Sequence, residues 1–206
     1  MQELPPIDLV LLSHAHFDHF DIRTLHRLPH TADLITAART KDILRFESFR
    51  SKRELRWGEA AEIWRDSGAL SVRAFPVKHW GARLQRDNYR GYNGYVLERN
   101  GHRILFGGDS ALTDSFAALR NDDRFDLAIM SIGTYDPWIR SHATPEQAVA
   151  MADAAGADRI LPVHHQTFRL SAEPFREPIE RFEAALQREP KRIALREIGE
   201  TFTLRP

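Results

Sequence analysis

The chain has 206 residues, of which 42% are hydrophobic and 10% aromatic, and its 29 basic side chains balance 29 acidic ones. This composition excludes disordered and fibrous classes, and the length is enough for one hydrophobic core, which predicts a single domain over residues 1–206. The neutral balance argues against a nucleic acid or an anionic membrane as partner, because proteins that follow phosphates usually carry a basic excess.

Cysteine is absent from the sequence. Disulfides, thiol nucleophiles and zinc sites with thiolate ligands are therefore excluded, and any metal must be held by histidines and carboxylates. The first residues, MQELPPIDLVLLS, lack the basic start and the apolar stretch of an export signal. No run approaches the about 20 apolar residues of a transmembrane segment. The expected location is the cytoplasm.

Short apolar runs alternate with helical patterns along the chain. The predicted strands are Ile7–Ser13, Asp33–Ala37, Leu70–Val77, Gly94–Arg99, Arg103–Gly107, Asp126–Ile132, Arg159–Val163 and Thr201–Leu204. The predicted helices are Ile22–Leu28, Arg39–Phe46, Ser110–Leu119, Pro145–Ala155 and Pro174–Arg188. Asn100-Gly101 predicts a tight hairpin turn. Strands interspersed with helices, together with such a hairpin, predict the α/β class with mixed sheets.

The strongest helix signal covers residues 145–155. Thr144 and Gln147 have the spacing of a capping box, and Pro145 suits the first helical position. Gly156 follows as a stop signal at the carboxyl end.

The string SHAHFDH directly follows the first predicted strand, and it brings His14, His16, Asp18 and His19 within six residues. Four such groups at one strand end would be costly to desolvate together unless they bind a metal ion. One tetrahedral zinc accepts about four ligands, and so short a segment cannot wrap all four around one ion without strain. We therefore expect two ions, with the two earlier histidines on one and Asp18 and His19 on its neighbour.

Further candidate ligands come just after later strands, namely His79, Asp109 and one member of the pair His164-His165. Residues that leave the strands of an α/β sheet at one edge converge on a single crevice. A carboxylate that bridges two ions about 3.5–4 Å apart should be among them. Asp109 could instead serve as the N-cap of the helix that follows it.

Seven strings along nearly the whole chain resemble one protein family: LPPID, SHAHFDHFD, VKHW, FGGDS, IGTYDP, HATPEQA and VHHQTF. Together they resemble the metallo-β-lactamase superfamily of dinuclear hydrolases. Within it, the nearest branch contains N-acyl-phosphatidylethanolamine-hydrolysing phospholipase D and its bacterial relatives. The resemblance implies an αββα sandwich with mixed sheets. Family members have a hairpin and further strands before the metal motif, so we expect a fold that is incomplete at the N-terminus because of a truncated gene model.

The resemblance also implies roles for individual residues. The implied ligands are His14, His16 and His79 for the first ion, Asp18, His19 and His164 for the second, and Asp109 as the bridge. His142 matches a family histidine near the substrate phosphate, where it would contact the leaving group; the alternative is a plain loop histidine. His165 would then orient a ligand. The cofactors are two divalent ions, with zinc favoured by the histidine-rich set and Mn²⁺ or Fe²⁺ also fitting.

The expected reaction is hydrolysis of a small-molecule or lipid-like phosphodiester by a metal-bridging hydroxide, with Asp18 also accepting the proton of the nucleophile. A hydrolase of esters, lactones or thioesters on the same scaffold is an alternative, because the metal centre alone does not select phosphorus over carbon. Another alternative is an inactive metal-binding module, or a fragment that needs a partner chain. Missing strands would expose a sheet edge, which favours association, including formation of a homo-oligomer.

Overall fold

The computed structural model describes residues 4–45, 48–66, 68–120 and 124–204. The chain forms two compact units, the first comprising Met1–Pro76 and Trp80–Asn93 and the second Val77–His79 and Gly94–Pro206. The strands are β1 (Leu9–Leu11), β2 (Asp33–Ala37), β3 (Ser51–Leu55), β4 (Ala60–Arg65), β5 (Gly68–Phe75), β6 (Gly94–Arg99), β7 (His102–Phe106), β8 (Phe125–Ser131) and β9 (Ala157–Val163). The α-helices are α1 (Ile22–Leu25), α2 (Pro145–Ala155) and α3 (Glu177–Ala185).

The first unit contains a parallel sheet in the order β1-β2-β3. All five residues of β2 are buried, as expected for a central parallel strand covered on both faces. The Leu12 amide donates to the Ile35 carbonyl at 2.9 Å, which prolongs the pairing of β1 with β2 up to the SHAHFDH string. That string therefore begins where the sheet ends. Strands β4 and β5 of the same unit pair antiparallel.

The second unit contains strands β6 to β9 in that order. β6 and β7 form an antiparallel hairpin, whose turn residues Asn100 and Gly101 have φ of 51° and 80°. Both values suit a two-residue turn of the predicted kind. β7, β8 and β9 are parallel, so their carboxyl ends lie at one edge, where the segments containing Asp109, Thr134 and His164 begin.

Helix α2 connects β8 to β9 and has the predicted ends. The Thr144 side chain accepts from the Gln147 amide, the Gln147 side chain accepts from the Thr144 amide, and Gly156 ends the helix in the left-handed conformation with φ of 82°. The capping-box prediction is confirmed. In the part of the chain that the structure describes, no helix has the length and apolar character needed to cross a bilayer.

Two predicted helices are wrong. Only Ala117–Leu119 of the predicted Ser110–Leu119 helix is helical, as a 3-10 turn. Ser110 Oγ accepts from the Lys78 amide and the Thr113 hydroxyl bonds to Ser115, and such short side chains compete with helical hydrogen bonds. Arg39 cannot start the predicted Arg39–Phe46 helix because its φ is 60°. The structure has a 3-10 turn at Lys41–Leu44, and Phe46 lies outside the described residues.

Other boundaries also differ. Thr201–Leu204 forms no strand, and the helices predicted at Ile22–Leu28 and Pro174–Arg188 are shorter, as α1 and α3. Strands β3 and β4 were not predicted. The sequence of β3, SKREL, is mostly polar, and that of β4, AAEIWR, contains only two residues, Ile63 and Trp64, of the types that favour strands. The first predicted strand, Ile7–Ser13, is reduced to β1. The prediction of a single domain over residues 1–206 stays a prediction.

Candidate metal centre

The SHAHFDH string brings its four candidate ligands together in the first unit; we call His14, His16, Asp18 and His19 the motif cluster. His14 Nε2 lies 2.9 Å from His16 Nδ1, and the rings of His14 and His19 are 4.3 Å apart. Asp18 Oδ2 lies 3.3 Å from His19 Nε2. For comparison, two nitrogen ligands of one tetrahedral zinc lie about 3.4 Å apart. The spacing of the motif cluster is therefore that of a metal-binding group.

A single backbone turn produces this arrangement. The His16 carbonyl accepts from the amides of His19 and Phe20, at 3.2 and 2.8 Å. This turn begins at His16, five residues after the end of β1, and gathers the side chains on either side of it. The Trp80 ring packs against the His16 ring with centroids 4.5 Å apart, and Ser13 Oγ lies 2.9 Å from His14 Nδ1. Packing and hydrogen bonding thus orient the imidazoles.

The second unit holds a group centred on one carboxylate oxygen; we call Asp109, His79, His142 and His164 the Asp109 cluster. Asp109 Oδ2 lies 3.3 Å from His164 Nε2, 3.9 Å from His79 Nε2 and 3.9 Å from His142 Nδ1. The Asp109 and His79 side chains are 2% and 1% exposed. Three imidazoles around one buried carboxylate form a set of donors that suits a divalent cation.

The hydrogen bond of His79 strengthens this interpretation. His79 Nδ1 lies 3.0 Å from the Ser141 carbonyl oxygen, which can only accept, so Nδ1 carries the ring proton. In the neutral ring, which is the form that binds metals, Nε2 faces Asp109 and presents a lone pair toward the carboxylate. Two electron-rich groups directed at each other are stabilised by a cation between them. A backbone carbonyl that fixes the tautomer in this way is typical of metal-binding histidines.

Local structure brings Asp109 beside His79. The Lys78 amide donates to Ser110 Oγ at 3.0 Å, and the Ala111 amide donates to the Lys78 carbonyl at 2.9 Å. Gly108 has φ of 57°, a conformation that side chains disfavour, so glycine permits the turn after β7. One side-chain and one backbone hydrogen bond thus tie Lys78, the neighbour of His79, to the two residues that follow Asp109.

His164 is supported by a turn after β8. Thr134 Oγ1 lies 3.3 Å from His164 Nδ1, and both residues have positive φ, of 67° and 62°. Buried Glu173 accepts from the amides of Thr134 and Asp136, at 2.5 and 3.2 Å. Burial alone would raise the pKa of Glu173, but hydrogen bonds from Ser171 and from the backbone outweigh it and lower the pKa. The carboxylate therefore stays ionised and holds the turn.

Every candidate ligand falls into one of these two clusters. The pair His164-His165 is divided, since His164 faces Asp109 whereas His165 Nδ1 lies 3.0 Å from Gln166 Oε1. Burial lowers the pKa of His165, which favours a neutral ring. Sequence reasoning missed the supports of the Asp109 cluster. Thr134 lies in the string IGTYDP, to which the sequence alone assigns no role, and nothing in the sequence distinguishes Glu173 from other glutamates.

Comparisons with known proteins find a family model and relatives that match this chain. The family model described as the beta-lactamase superfamily domain matches residues 1–165. An uncharacterized protein of Mycobacterium tuberculosis is 34% identical over 205 residues, covering 93% of this chain and 53% of that protein. The N-acyl-phosphatidylethanolamine-hydrolyzing phospholipase D 1 of Caenorhabditis elegans is 26% identical over 193 residues, covering 86% of this chain and 54% of that protein. The chain therefore spans about half the length of these relatives.

A solved structure shows the same fold. Igni18, a metallo hydrolase from the archaeon Ignicoccus hospitalis, matches with a TM-score of 0.73 at 21% identity, over 97% of this chain and 80% of its own. Together with the mixed sheets, this match confirms the predicted α/β fold class of the metallo-β-lactamase type.

Proposed function

Because the chain belongs to the beta-lactamase superfamily, we propose that it is a metal-dependent hydrolase that cleaves phosphoric diesters with two divalent ions. The observation that carries the proposal is the Asp109 cluster, in which three imidazole nitrogens lie 3.3–3.9 Å from one buried carboxylate oxygen. The preference for phosphodiesters follows from similarity to a phospholipase D of Caenorhabditis elegans. The proposed substrate is a small-molecule or lipid-like phosphodiester.

The ligand assignment is taken from the sequence resemblance. The proposed ligands are His14, His16 and His79 for one ion, Asp18, His19 and His164 for the other, and Asp109 for both. A ligand set of histidine nitrogens and aspartate carboxylates, without cysteine, suits zinc and also accepts Mn²⁺ or Fe²⁺. When bound, such ions supply Lewis acidity toward the scissile ester and lower the pKa of water toward 7.

Side chains of the protein itself would carry out the proton transfers of the reaction. The Asp18 side chain is 22% exposed, compared with 18% for the adjoining His19. Asp18 can therefore exchange a proton with solvent. We assign it the proton of the attacking water. His142 faces Asp109 through Nδ1, so a proton delivered to the leaving group would come from Nε2. The Asp109 carboxylate would offset part of the positive charge of the bound ions.

Hydrolysis assays on reconstituted protein test the proposal. Bis-(p-nitrophenyl) phosphate is offered in parallel with p-nitrophenyl butyrate and a simple lactone, with and without a chelator. We expect chelator-sensitive turnover of the phosphodiester in the natural protein and in D114N, an exposed aspartate beyond the cluster. D109N should lose at least about 100-fold, since a neutral amide with a single oxygen cannot bridge two ions as a carboxylate does.

The alternatives give different results. If the protein hydrolyses the butyrate or the lactone but not the phosphodiester, the proposed substrate class is wrong and the proposal of a metal-dependent hydrolase stands. Bound metal without any turnover would point to an inactive metal-binding module or to a fragment that needs a partner. Equal activity of D109N and D114N would refute the proposal altogether.

A further inference from the structure

We infer that Arg83 is a positioning residue that fixes the turn of the motif cluster in the shape that binds metal. This inference rests on the proposed metal binding, but it does not depend on which ester the protein cleaves. Arg83 lies in the segment Trp80–Asn93 of the first unit, and it stands outside every string that suggested a metal site in the sequence.

The guanidinium of Arg83 closes the motif turn from outside. Its Nη1 donates to the carbonyl of Ala15 at 3.0 Å and to that of Phe20 at 2.8 Å. Both residues are fully buried, and they bracket three of the four residues of the motif cluster. The internal hydrogen bonds of the turn use the His16 carbonyl, whereas Arg83 donates to the carbonyls of Ala15 before it and Phe20 after it. Buried carbonyls need such donors.

Stacking adds a second constraint on the same loop. The Arg83 guanidinium carbon lies 4.1 Å above the centre of the Phe17 ring and 5.8 Å from that of Phe20. Phe17 stands between His16 and Asp18 in the chain and is exposed at 60%. A planar cation that stacks on one residue of the turn and bonds to two others restricts how the turn can rotate.

The segment carrying Arg83 is itself firmly held. Arg90 donates to Asp42 at 2.6 and 3.0 Å, to Asp87 at 2.6 Å and to the Arg39 carbonyl at 2.6 Å. Opposing charges hold the pKa of Arg90 well above its usual value, with the Asp42 hydrogen bond as the largest cause. The side chain of Arg90 thus anchors one end of the segment.

The other fixed points are backbone contacts. The Asn93 amide donates to the Ser13 carbonyl at 2.9 Å, directly before His14, and the Gly91 amide donates to the Ala38 carbonyl at 2.8 Å. A Cβ on Gly81 would lie 2.2 Å from the Arg90 carbonyl oxygen, so the two ends of the segment also approach each other closely. Arg83 is therefore presented to the motif from a rigid platform.

Metal affinity measured without any substrate tests this inference. Metal-free protein is titrated with Zn²⁺ against a chromophoric chelator for the natural chain, R83M and R86M. Arg86 is an exposed arginine three residues away and serves as the matched control. We expect R83M to bind Zn²⁺ 10- to 100-fold more weakly, the usual effect of removing a support of a ligand, and R86M to bind as the natural protein does.

A second set of measurements separates positioning from simple destabilisation. Millimolar methylguanidinium should restore a large part of the affinity of R83A without restoring that of D109N. If R83M does not fold, the same titration is made with R83K. We expect R83K to bind Zn²⁺ several-fold more weakly than the natural protein, because lysine cannot stack on an aromatic ring or donate from a planar group as arginine does.

The inference would be overturned if R83M or R83K bound Zn²⁺ with the affinity of the natural protein, or if R83M and R86M lost equal amounts of Zn²⁺ affinity. It would also be overturned if the natural chain bound no Zn²⁺. Weakened metal binding in R83M together with a natural chain that lacks phosphodiesterase activity would keep the role of Arg83. That result would refute only the proposed reaction.

Discussion

Replacing Asp33 with asparagine tests the polar contacts that hold the parallel sheet leading into the motif cluster. Asp33 is 2% exposed and accepts from Ser51 Oγ at 2.5 Å and from Arg50 and Arg65 at 2.7 Å each. Burial alone would raise the pKa of Asp33, but these hydrogen bonds lower it from 3.8 to about 2. A depressed folded-state pKa stabilises the fold above the unfolded value, and this stability is lost as pH falls through the folded value.

The magnitude follows from the two pKa values. The difference between 3.8 and about 2 corresponds to about 2.4 kcal/mol of folding stability at pH 7 and about 1.3 kcal/mol at pH 3. Urea denaturation of metal-free natural protein and D33N, followed by circular dichroism, measures the difference in unfolding free energy at both pH values. We expect that difference to shrink by about 1.1 kcal/mol between pH 7 and pH 3.

The exposed aspartate Asp158, which pairs with Arg124 at 2.7 Å, provides a matched control. D158N should change the unfolding free energy by less than about 0.5 kcal/mol at either pH, as exposed ion pairs usually do. A stability difference for D33N that is equal at pH 7 and pH 3 would refute the reasoning.

Two further substitutions probe the turn that supports His164. Gly133→Ala would place a Cβ 2.3 Å from the His164 carbonyl oxygen, so we expect about 1–3 kcal/mol of destabilisation, or several degrees in melting temperature by calorimetry. An unchanged melting temperature would show that the close approach is not rigid. Glu173→Gln should cost about 1–3 kcal/mol near pH 7 through weaker bonds to Thr134 and Asp136. Because the pKa of Glu173 is lowered, that cost should decline in acid, and urea denaturation between pH 7 and pH 3 checks it.

The features predicted best from sequence are those whose signals are local. The capping box at Thr144 and the hairpin at Asn100-Gly101 each depend on a few adjacent residues, and the structure has both. The motif cluster is equally local, because one turn after β1 gathers four candidate ligands from one string. Such elements need no knowledge of what packs against them.

The elements that sequence reasoning missed depend on distant partners. Strand β3 pairs with β2 in parallel, and its polar sequence is accommodated because Arg50 and Ser51 bond to Asp33. Conversely, Ser110–Leu119 has helical periodicity, but Ser110 is engaged by the Lys78 amide far along the chain. Periodicity reports neither kind of contact.

The residues that orient the candidate ligands could not be predicted from the sequence either. Arg83 and Glu173 are ordinary charged residues in the sequence, and each matters through backbone groups of residues more than 30 positions away. Ser141 fixes His79 through its carbonyl, which every residue type possesses. The residue types that could bind metal were therefore predictable, whereas the residues that orient them needed the structure.

Metal content is the measurement that tests the central claim most directly. The natural chain and D109A are stripped, reconstituted with Zn²⁺, freed of excess ion and analysed by mass spectrometry of the metal against protein concentration. Two ligand groups with Asp109 as the bridge predict about two ions per natural chain and at most about one in D109A. The absence of retained metal in the natural chain, or equal metal content in both proteins, would contradict the account.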